Sequence, residues 1–280
     1  MNALEIKNLT KSYSVFTLDN LSLTLPEGCI MGLVGENGAG KSTTIQLILD
    51  MIHKDGGTVR ILGKDNADGL ALIKEDVGVV LDEVGIPECF TVKQVGNVMR
   101  NTFRSWDDGE YARLIQKFAL PENKSFKKFS RGMKMKLGIA VALSHHAKLL
   151  ILDEATAGLD PVVRDEIVEL LNDFTRDETH SVLISSHIVS DLEKLCDYIV
   201  FLHKGKLLLC EEKDRLMCEY GLVRCTAEEL WQIPSDAIKC KKENPYGVEL
   251  LVKRSAVPSG IQISPVTIEE LFVSLVKEER

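Results

Sequence analysis

One loop, Gly35-Glu-Asn-Gly-Ala-Gly-Lys41-Ser42, constrains the fold of this chain more than any other feature. Its glycines let successive backbone N–H groups curl around phosphate oxygens, Lys41 adds a positive charge, and Ser42 offers a hydroxyl to a metal ion. A continuous apolar run, residues 29–34, precedes the loop, and a segment with helical periodicity, residues 42–52, follows it. A helix that begins here directs its positive end at the anion. The residues predicted to bind phosphate are Gly35, Glu36, Asn37, Gly38, Ala39, Gly40, Lys41, Ser42 and Thr43.

Strand and helix patterns alternate along most of the chain. Strands are predicted at residues 4–9, 21–25, 29–34, 58–62, 77–81, 148–152, 181–185 and 198–202, and further helices at 92–104, 107–119, 131–144 and 160–175. This order predicts an α/β fold, namely a P-loop NTPase core with a mixed, largely parallel sheet and an inserted helical lobe at about residues 90–145.

The texture of the sequence changes after Gly221, where prolines and glycines break the tail into short pieces. A strand is expected at residues 246–253 and an amphipathic helix at 267–277. We therefore expect a main domain over residues 1–220 and a small C-terminal α+β accessory domain over residues 221–280.

Composition excludes several classes of protein. The formal net charge of −8 argues against nucleic acid as a partner, because binding phosphates requires an excess of Lys and Arg. No run approaches the roughly 20 apolar residues of a membrane-spanning helix. The N-terminus lacks the basic start and apolar middle of a signal peptide, so a cytoplasmic location is expected. The seven cysteines include no C-x-x-C pair and suggest neither disulfides nor zinc.

One basic cluster stands out against the negative net charge. Two interpretations are open: a solvated face beside a functional turn, or a surface for anionic lipid or a partner. Its members are Lys124, Lys127, Lys128, Arg131, Lys134 and Lys136.

Two carboxylates, Asp153 and Glu154, follow the predicted buried strand that ends in Leu149-Leu-Ile-Leu152. In phosphate-loop enzymes an Asp at this place holds Mg²⁺, directly or through water. Neighbouring residues on a strand face opposite ways, so Glu154 is free for another task, and activating a water molecule is the role we predict. The alternative is that Glu154 only caps the loop before Ala155.

Three further motifs lie around the acidic pair in the sequence. Phe129-Ser-Arg-Gly-Met133 precedes the acidic pair, Ala155-Thr-Ala-Gly-Leu-Asp160 follows it, and Ser185-Ser-His187 ends the next strand. Together with the phosphate loop and the acidic pair, these motifs resemble those of the ABC-transporter ATPases over roughly residues 2–220. The tail is similar to a small C-terminal extension common in bacterial drug- and antibiotic-export ATPases.

The resemblance implies ATP and Mg²⁺ as cofactors and a set of residue roles. Tyr13 corresponds to an aromatic ring that stacks on adenine, although Phe16 is nearby and either ring could belong to the core. His187 corresponds to a γ-phosphate contact, with a core histidine as the alternative, and Asp160 belongs to the D-loop. The metal ligands implied are Ser42, Asp82 and Asp153.

The resemblance assigns a second group of residues to the opposite subunit of a head-to-tail dimer. Ser130 is a good N-cap for the predicted helix 131–144, and a helix N-terminus with a hydroxyl and an unhindered glycine N–H binds anions. An ordinary N-capped helix is the alternative. The signature residues implied to meet the partner's ATP are Ser130, Arg131, Gly132 and Met133.

The chain departs from the family pattern at two places. Asp82-Glu83 stands where the family usually has Gln; an aspartate is a good ligand for a hard metal but cannot donate a hydrogen bond when ionised. In the signature turn, Arg131 replaces a usual Gly and Met133 a usual Gln, while Ser130 and Gly132 are retained. We interpret the signature turn as a functional site whose properties these two replacements modify.

The resemblance implies that the chain is the ATP-hydrolysing subunit of an ABC exporter. It would work as a homo- or heterodimer, peripheral on the inner face of the cell membrane. A separate polytopic permease would dock its coupling helices in the cleft at residues 82–104. One alternative is a soluble ABC ATPase that acts in assembly or repair without a transporter. The other is a non-catalytic nucleotide-binding module, against which Glu154 and His187 argue.

Overall fold

The computed structural model describes residues 1–68, 73–226, 229–244 and 247–278. The strands are β1 (Asn2–Ser12), β2 (Thr17–Pro26), β3 (Ile30–Val34), β4 (Gly56–Ile61), β5 (Lys64–Asp65), β6 (Val77–Val80), β7 (Leu149–Asp153), β8 (Ser181–Ser186), β9 (Tyr198–His203), β10 (Lys206–Glu212), β11 (Tyr220–Cys225), β12 (Ile238–Asn244) and β13 (Gly247–Lys253). The helices are α1 (Lys41–Ile48), α2 (Val92–Thr102), α3 (Asp108–Lys117), α4 (Arg131–Leu143), α5 (Pro161–Phe174), α6 (Val189–Leu195), α7 (Lys213–Glu219) and α8 (Ile268–Glu278). Within this part of the chain, no helix is long and apolar enough to cross a bilayer.

A six-stranded sheet in the order β10-β9-β3-β8-β7-β6 forms the centre of the fold, and only β10 runs antiparallel to its neighbour. Its inner strands are buried on both faces. On β3, Ile30 and Val34 pack into one hydrophobic cluster, whereas Met31 and Leu33 pack into another on the opposite face. This two-sided burial explains the continuous apolar run in the sequence and confirms the predicted α/β fold.

A four-stranded antiparallel sheet in the order β2-β1-β4-β5 covers one face of the fold together with α1. Alternate residues of β1, namely Leu4 and Ile6, are buried, as the half-buried pattern predicted. Helix α1 ends sooner than expected, because Asp50 adopts a left-handed backbone conformation with φ of 52°.

The helical lobe lies between β6 and β7 and comprises α2, α3 and α4. Its helices begin and end within two residues of their predicted bounds because side chains cap them. Thr91 and Gln94 form a capping box on α2, Asp107 accepts from two N–H groups of α3, and Ser130 caps α4. The lobe shares the larger hydrophobic cluster with the central sheet, so it is held to the core by apolar packing.

The C-terminal segment has a three-stranded sheet in the order β11-β13-β12 and helix α8, as the predicted α+β extension requires. The first residue of the predicted strand, Tyr246, lies outside the described residues. Helix α8 packs back on the main body: Leu271 and Phe272 belong to the same cluster as Leu192 of α6, and the ring centroids of Phe201 and Phe272 lie 5.1 Å apart. The tail is thus fastened to the core by α8.

Replacing Phe272 should therefore destabilise the whole chain. The ring is 8% exposed, and Phe272→Ala would leave a cavity against Phe201, at a cost of about 3 kcal/mol in the free energy of unfolding. Val273→Ala is the matched control, because the neighbouring side chain is 43% exposed and its loss should change stability by less than about 0.5 kcal/mol. Urea unfolding measures both. Equal midpoints for the two variants would show that α8 does not stabilise the core.

Candidate functional site

Parallel pairing brings the carboxyl ends of β6, β7, β8 and β3 to one edge of the sheet. Val80 is paired with Leu152, Asp153 with Ser185, and Ser186 with Val34. The residues that follow these strands are Asp82, Glu154, His187 and the phosphate loop. Ligands of open α/β sheets bind at such an edge. The fold therefore gathers predicted site residues from four separate segments.

The phosphate loop needs its glycines for two reasons. Gly38 and Gly40 have φ values of 83° and 110°, in the region that side chains disfavour. A Cβ atom at Gly40 would also lie 3.0 Å from the ring of Phe16. Helix α1 begins at the next residue, Lys41, so its N-terminus opens towards the loop.

Lys41 is buried beneath this loop, and its ammonium group has three oxygen neighbours. Nζ donates to the carbonyl oxygens of Gly35 at 2.8 Å and Glu36 at 3.3 Å, and lies 3.2 Å from Oε1 of Glu154. A buried ammonium requires partners of this kind, and they fix its position in the cleft. The predicted phosphate-binding charge is therefore held in place by its own loop.

Glu154 has a strained backbone, with φ of 52°. Its N–H donates to both the carbonyl oxygen and Oγ of Ser185, each at 3.1 Å, which ties the residue to the end of β8. Its carboxylate lies between Lys41 and His187, with Oε2 2.6 Å from Nδ1 of His187. This contact with Lys41 and His187 favours the catalytic interpretation over a capping role.

Asp153 is buried at the end of β7, where its Oδ1 accepts a hydrogen bond from Oγ of Ser185. Together with the hydroxyl of Ser42, it supplies oxygen donors, which Mg²⁺ prefers. No group of three or more His, Cys, Asp or Glu side chains that could hold a metal occurs in the described ranges. A site with few protein ligands suits Mg²⁺, which is bound by one or two carboxylates together with phosphates and water.

The phosphate loop, Glu154 and His187 line a cleft of about 680 Å³, whereas Asp153 is not part of its lining. The lining residues are Phe16, Asn37, Gly38, Gly40, Lys41, Ser42, Thr43, Asp82, Arg131, Glu154, Ala157, Gly158 and His187. Phe16 contributes the aromatic ring of this lining. The ring of Tyr13 is 47% exposed, with Nζ of Lys11 5.6 Å from its centroid. The sequence favoured Tyr13, whereas Phe16 lines the cleft and lies against Gly40.

The signature residues other than Arg131 lie outside the lining of this cleft. Ser130 caps α4, with Oγ accepting from the N–H of Met133 at 3.3 Å. A Cβ atom at Gly132 would come no closer than 3.5 Å to Val163, so the turn tolerates a side chain there. Asp160 caps α5, accepting from the N–H of Val163 at 3.0 Å.

Most members of the basic cluster have partners within the chain. Lys127 lies 3.2 Å from Glu88, Lys136 pairs with Glu166, Arg131 pairs with Asp82, and Nζ of Lys134 lies 5.0 Å from the ring centroid of Phe126. The pairs of Lys127 and Arg131 are exposed and therefore weak, so both interpretations of the cluster stay open.

Comparisons with known proteins agree with this geometry. The family model described as "ABC transporter" matches residues 18–157. The lantibiotic transport ATP-binding protein SrtF of Streptococcus pyogenes is 35% identical over 217 residues, which cover 75% of this chain and 91% of that protein. The bacitracin transport ATP-binding protein BcrA of Enterococcus faecalis is 33% identical over 208 residues, covering 73% and 68%. A solved structure described as the ATP binding subunit of an ABC transporter superposes with a TM-score of 0.69 at 28% identity, covering 76% and 91%.

Removing the Lys41 ammonium should abolish tight ATP binding. Lys41→Ala deletes a charged donor from a site for a polyanion, and we expect affinity to fall by about 100-fold or more. Lys148→Ala is the matched control, because that exposed lysine pairs with Asp76 at the opposite end of β7. Isothermal titration calorimetry measures both, and unchanged affinity in Lys41→Ala would mean that the loop does not bind the phosphates.

Proposed function

Because this chain belongs to the ABC transporter family of ATP-binding and ATP-hydrolysing subunits, we propose that it energises a separate polytopic membrane permease that exports its substrate. The observation that carries the catalytic part of this proposal is the position of Glu154. Its carboxylate faces the phosphate-loop cleft and contacts Lys41 on one side and His187 on the other. A base placed beside the phosphate-binding lysine suits attack of water on a γ-phosphate.

The residues of the cleft would divide the reaction among them. The loop N–H groups and Lys41 bind the phosphates, and Glu154 accepts a proton from the attacking water. His187, 2.6 Å from the Glu154 carboxylate, orients that carboxylate and reaches towards the γ-phosphate. Mg²⁺ bound to ATP supplies charge neutralisation, and Ser42, Asp153 and Asp82 are the residues that would hold it. Tyr13, or Phe16 from the cleft lining, would stack on the adenine.

The relatives suggest the class of cargo. SrtF and BcrA carry the names of lantibiotic and bacitracin transport proteins, so export of a peptide antibiotic is the transport function we propose here. Nothing in the structure or the comparisons favours the alternative of an ATPase in assembly or repair. A transporter subunit would lie on the inner face of the membrane beside its permease.

A second cleft offers a docking place for that permease. It has a volume of about 530 Å³ and lies between the loop after β6 and the helical lobe. Apolar side chains of Val84, Ile86, Phe126 and Phe129 line it, flanked by charges. An amphipathic coupling helix would bury its apolar face there.

The placement of the signature turn supports a head-to-tail dimer. Ser130 and Gly132 do not line the nucleotide cleft of their own chain, although the N-terminus of α4 is suited to an anion. We propose that they meet the γ-phosphate bound to the opposite subunit, so that ATP closes the dimer and hydrolysis reopens it. Domain boundaries at residue 220 and a homo- or heterodimeric assembly are part of the same proposal.

The proposed role of Glu154 as the base can be tested by substitution. Glu154→Gln keeps the shape of the side chain but removes its charge and cannot accept the proton, so ATP turnover should fall by about 10²- to 10⁴-fold with ATP affinity retained. An ATP-bound dimer should then accumulate on gel filtration. Glu169→Gln, on the exposed face of α5, is the matched control and should keep full turnover. Wild-type turnover in Glu154→Gln would refute its role.

A substitution in the signature turn tests the composite site. Gly132→Asp places a negative charge where the partner's γ-phosphate would approach, and two like charges about 4 Å apart repel by roughly 4 kcal/mol at an effective dielectric constant of 20. The variant should fold, because Asp is favourable in the first turn of a helix and the turn has room for it. We expect normal ATP binding with loss of dimerisation and turnover. Gly132→Asn is the uncharged control of equal size and should retain more of both.

Mixing variants checks the geometry of that site. In a heterodimer of Gly132→Asp with Lys41→Ala, one composite site receives both lesions and the other receives neither. Partial turnover should therefore reappear on mixing two inactive variants. Weak ATP binding by monomeric Gly132→Asp would instead place the turn in its own subunit's site and contradict the head-to-tail arrangement.

A further inference from the structure

Asp82 and Arg131 depart from the family pattern separately in the sequence, and the structure brings them together as an ion pair. Arg131 is the first residue of α4, and Asp82 follows β6. Both side chains are about half exposed. Arg131 also lies against the D-loop (residues 155–160), since a Cβ atom at Gly158 would be 3.3 Å from one of its terminal nitrogens.

The pair stands between two clefts. Asp82 and Arg131 line the nucleotide cleft with Lys41 and Glu154, and they also line the second cleft with Phe126 and Phe129. They are the two residues that the linings of both clefts have in common. Whatever changes this ion pair therefore changes the boundary between the site for ATP and the proposed site for the permease.

Two neighbouring lysines have partners other than Asp82. Nζ of Lys127 lies 3.2 Å from Glu88, and Lys134 lies over the ring of Phe126. The flat guanidinium of Arg131 is the cation that holds Asp82. Arg131 and a magnesium ion weaken each other's binding to one carboxylate, because each neutralises the same charge.

We propose that the Asp82–Arg131 ion pair is a latch that Mg²⁺–ATP opens by competing with Arg131 for the Asp82 carboxylate. In the closed latch, Arg131 ties the first turn of α4, and with it the signature residues, to the loop after β6. Binding of Mg²⁺–ATP frees that turn and alters the boundary of the second cleft. Asp82 and Arg131 act here as positioning residues. The inference rests on the proposed function, because it requires the cleft to bind Mg²⁺–ATP.

Calorimetry on the full chain measures the competition. ATP is titrated with Mg²⁺ and with EDTA, and the ratio of the metal-free to the metal-bound Kd reports how much the metal contributes. Arg131→Ala should raise this ratio by about two- to fivefold, the range expected for an exposed ion pair. Asp82 is then free for the metal, and without metal its charge repels the phosphates. Asp82→Asn should lower the ratio, and adding Arg131→Ala to it should change nothing further.

Lys127→Ala is the matched control: it removes one positive charge from the same surface without touching Asp82 and should leave the ratio unchanged. An equal rise of the ratio in Lys127→Ala would show that loss of any nearby positive charge causes the effect, and it would overturn the latch. An unchanged ratio in Arg131→Ala would also overturn it, while tight Mg²⁺–ATP binding by the wild type would leave the proposed function intact. Failure of the wild type to bind ATP would instead refute the proposed function.

Hydrogen exchange without nucleotide supplies a second readout. The first turn of α4, residues 131–134, should exchange faster in both Arg131→Ala and Asp82→Asn, and no faster still in the double variant. Adding Mg²⁺–ATP to a chain that carries both Glu154→Gln and Gly132→Asp, so that ATP is not hydrolysed and the dimer does not close over the turn, should reproduce that increase. If the exchange rate of the turn is the same in the wild type and in both single variants, the latch is contradicted.

Discussion

The parallel pairing of β3 with β8, of β8 with β7 and of β7 with β6 is the constraint on which the site depends. Parallel strands end at the same edge. Strands β3, β7 and β8 are buried on both faces, so their register cannot slip without moving apolar side chains to the wrong cluster. The positions of Asp82, Glu154 and His187 relative to the phosphate loop are therefore set by hydrophobic packing. The polar site depends on an apolar scaffold that contains none of its chemistry.

Within that scaffold, charges hold each other in place. Lys41 is buried, and a buried ammonium needs oxygen partners, which two loop carbonyls and Glu154 provide. Glu154 in turn is tied through its backbone to Ser185 and through its carboxylate to His187. The same side chains that would bind the phosphates and activate water thus stabilise one another. A phosphate entering the cleft would exchange one anionic partner of Lys41 for another, at little cost in unpaired charge.

Local signals were sufficient to predict the fold class, the phosphate loop and the helices of the lobe, because glycines and capping residues such as Thr91, Asp107 and Ser130 act on their own neighbours. What could not be predicted depends on contacts between distant segments. Strand β10 lacks an alternating pattern, since residues 207–210 are all apolar and half-buried. The packing of α8 on α6 and the approach of Phe16 to Gly40 likewise follow from tertiary structure, as does the meeting of Asp82 with Arg131.

Helix α4 connects the apolar scaffold to the nucleotide cleft, because it has two kinds of contact with the strand that leads to Asp82. Along its body the contact is apolar and close: a Cβ atom at Gly138 would lie 3.0 Å from Val80, so the helix packs tightly on β6. At its first turn the contact is the ion pair of Arg131 with Asp82, half exposed and therefore weak. A close-packed apolar contact resists sliding, whereas an exposed ion pair exchanges partners readily. A signal from the nucleotide cleft would then act on the N-terminus of α4, where the signature residues lie, while the body of the helix keeps its place on the sheet.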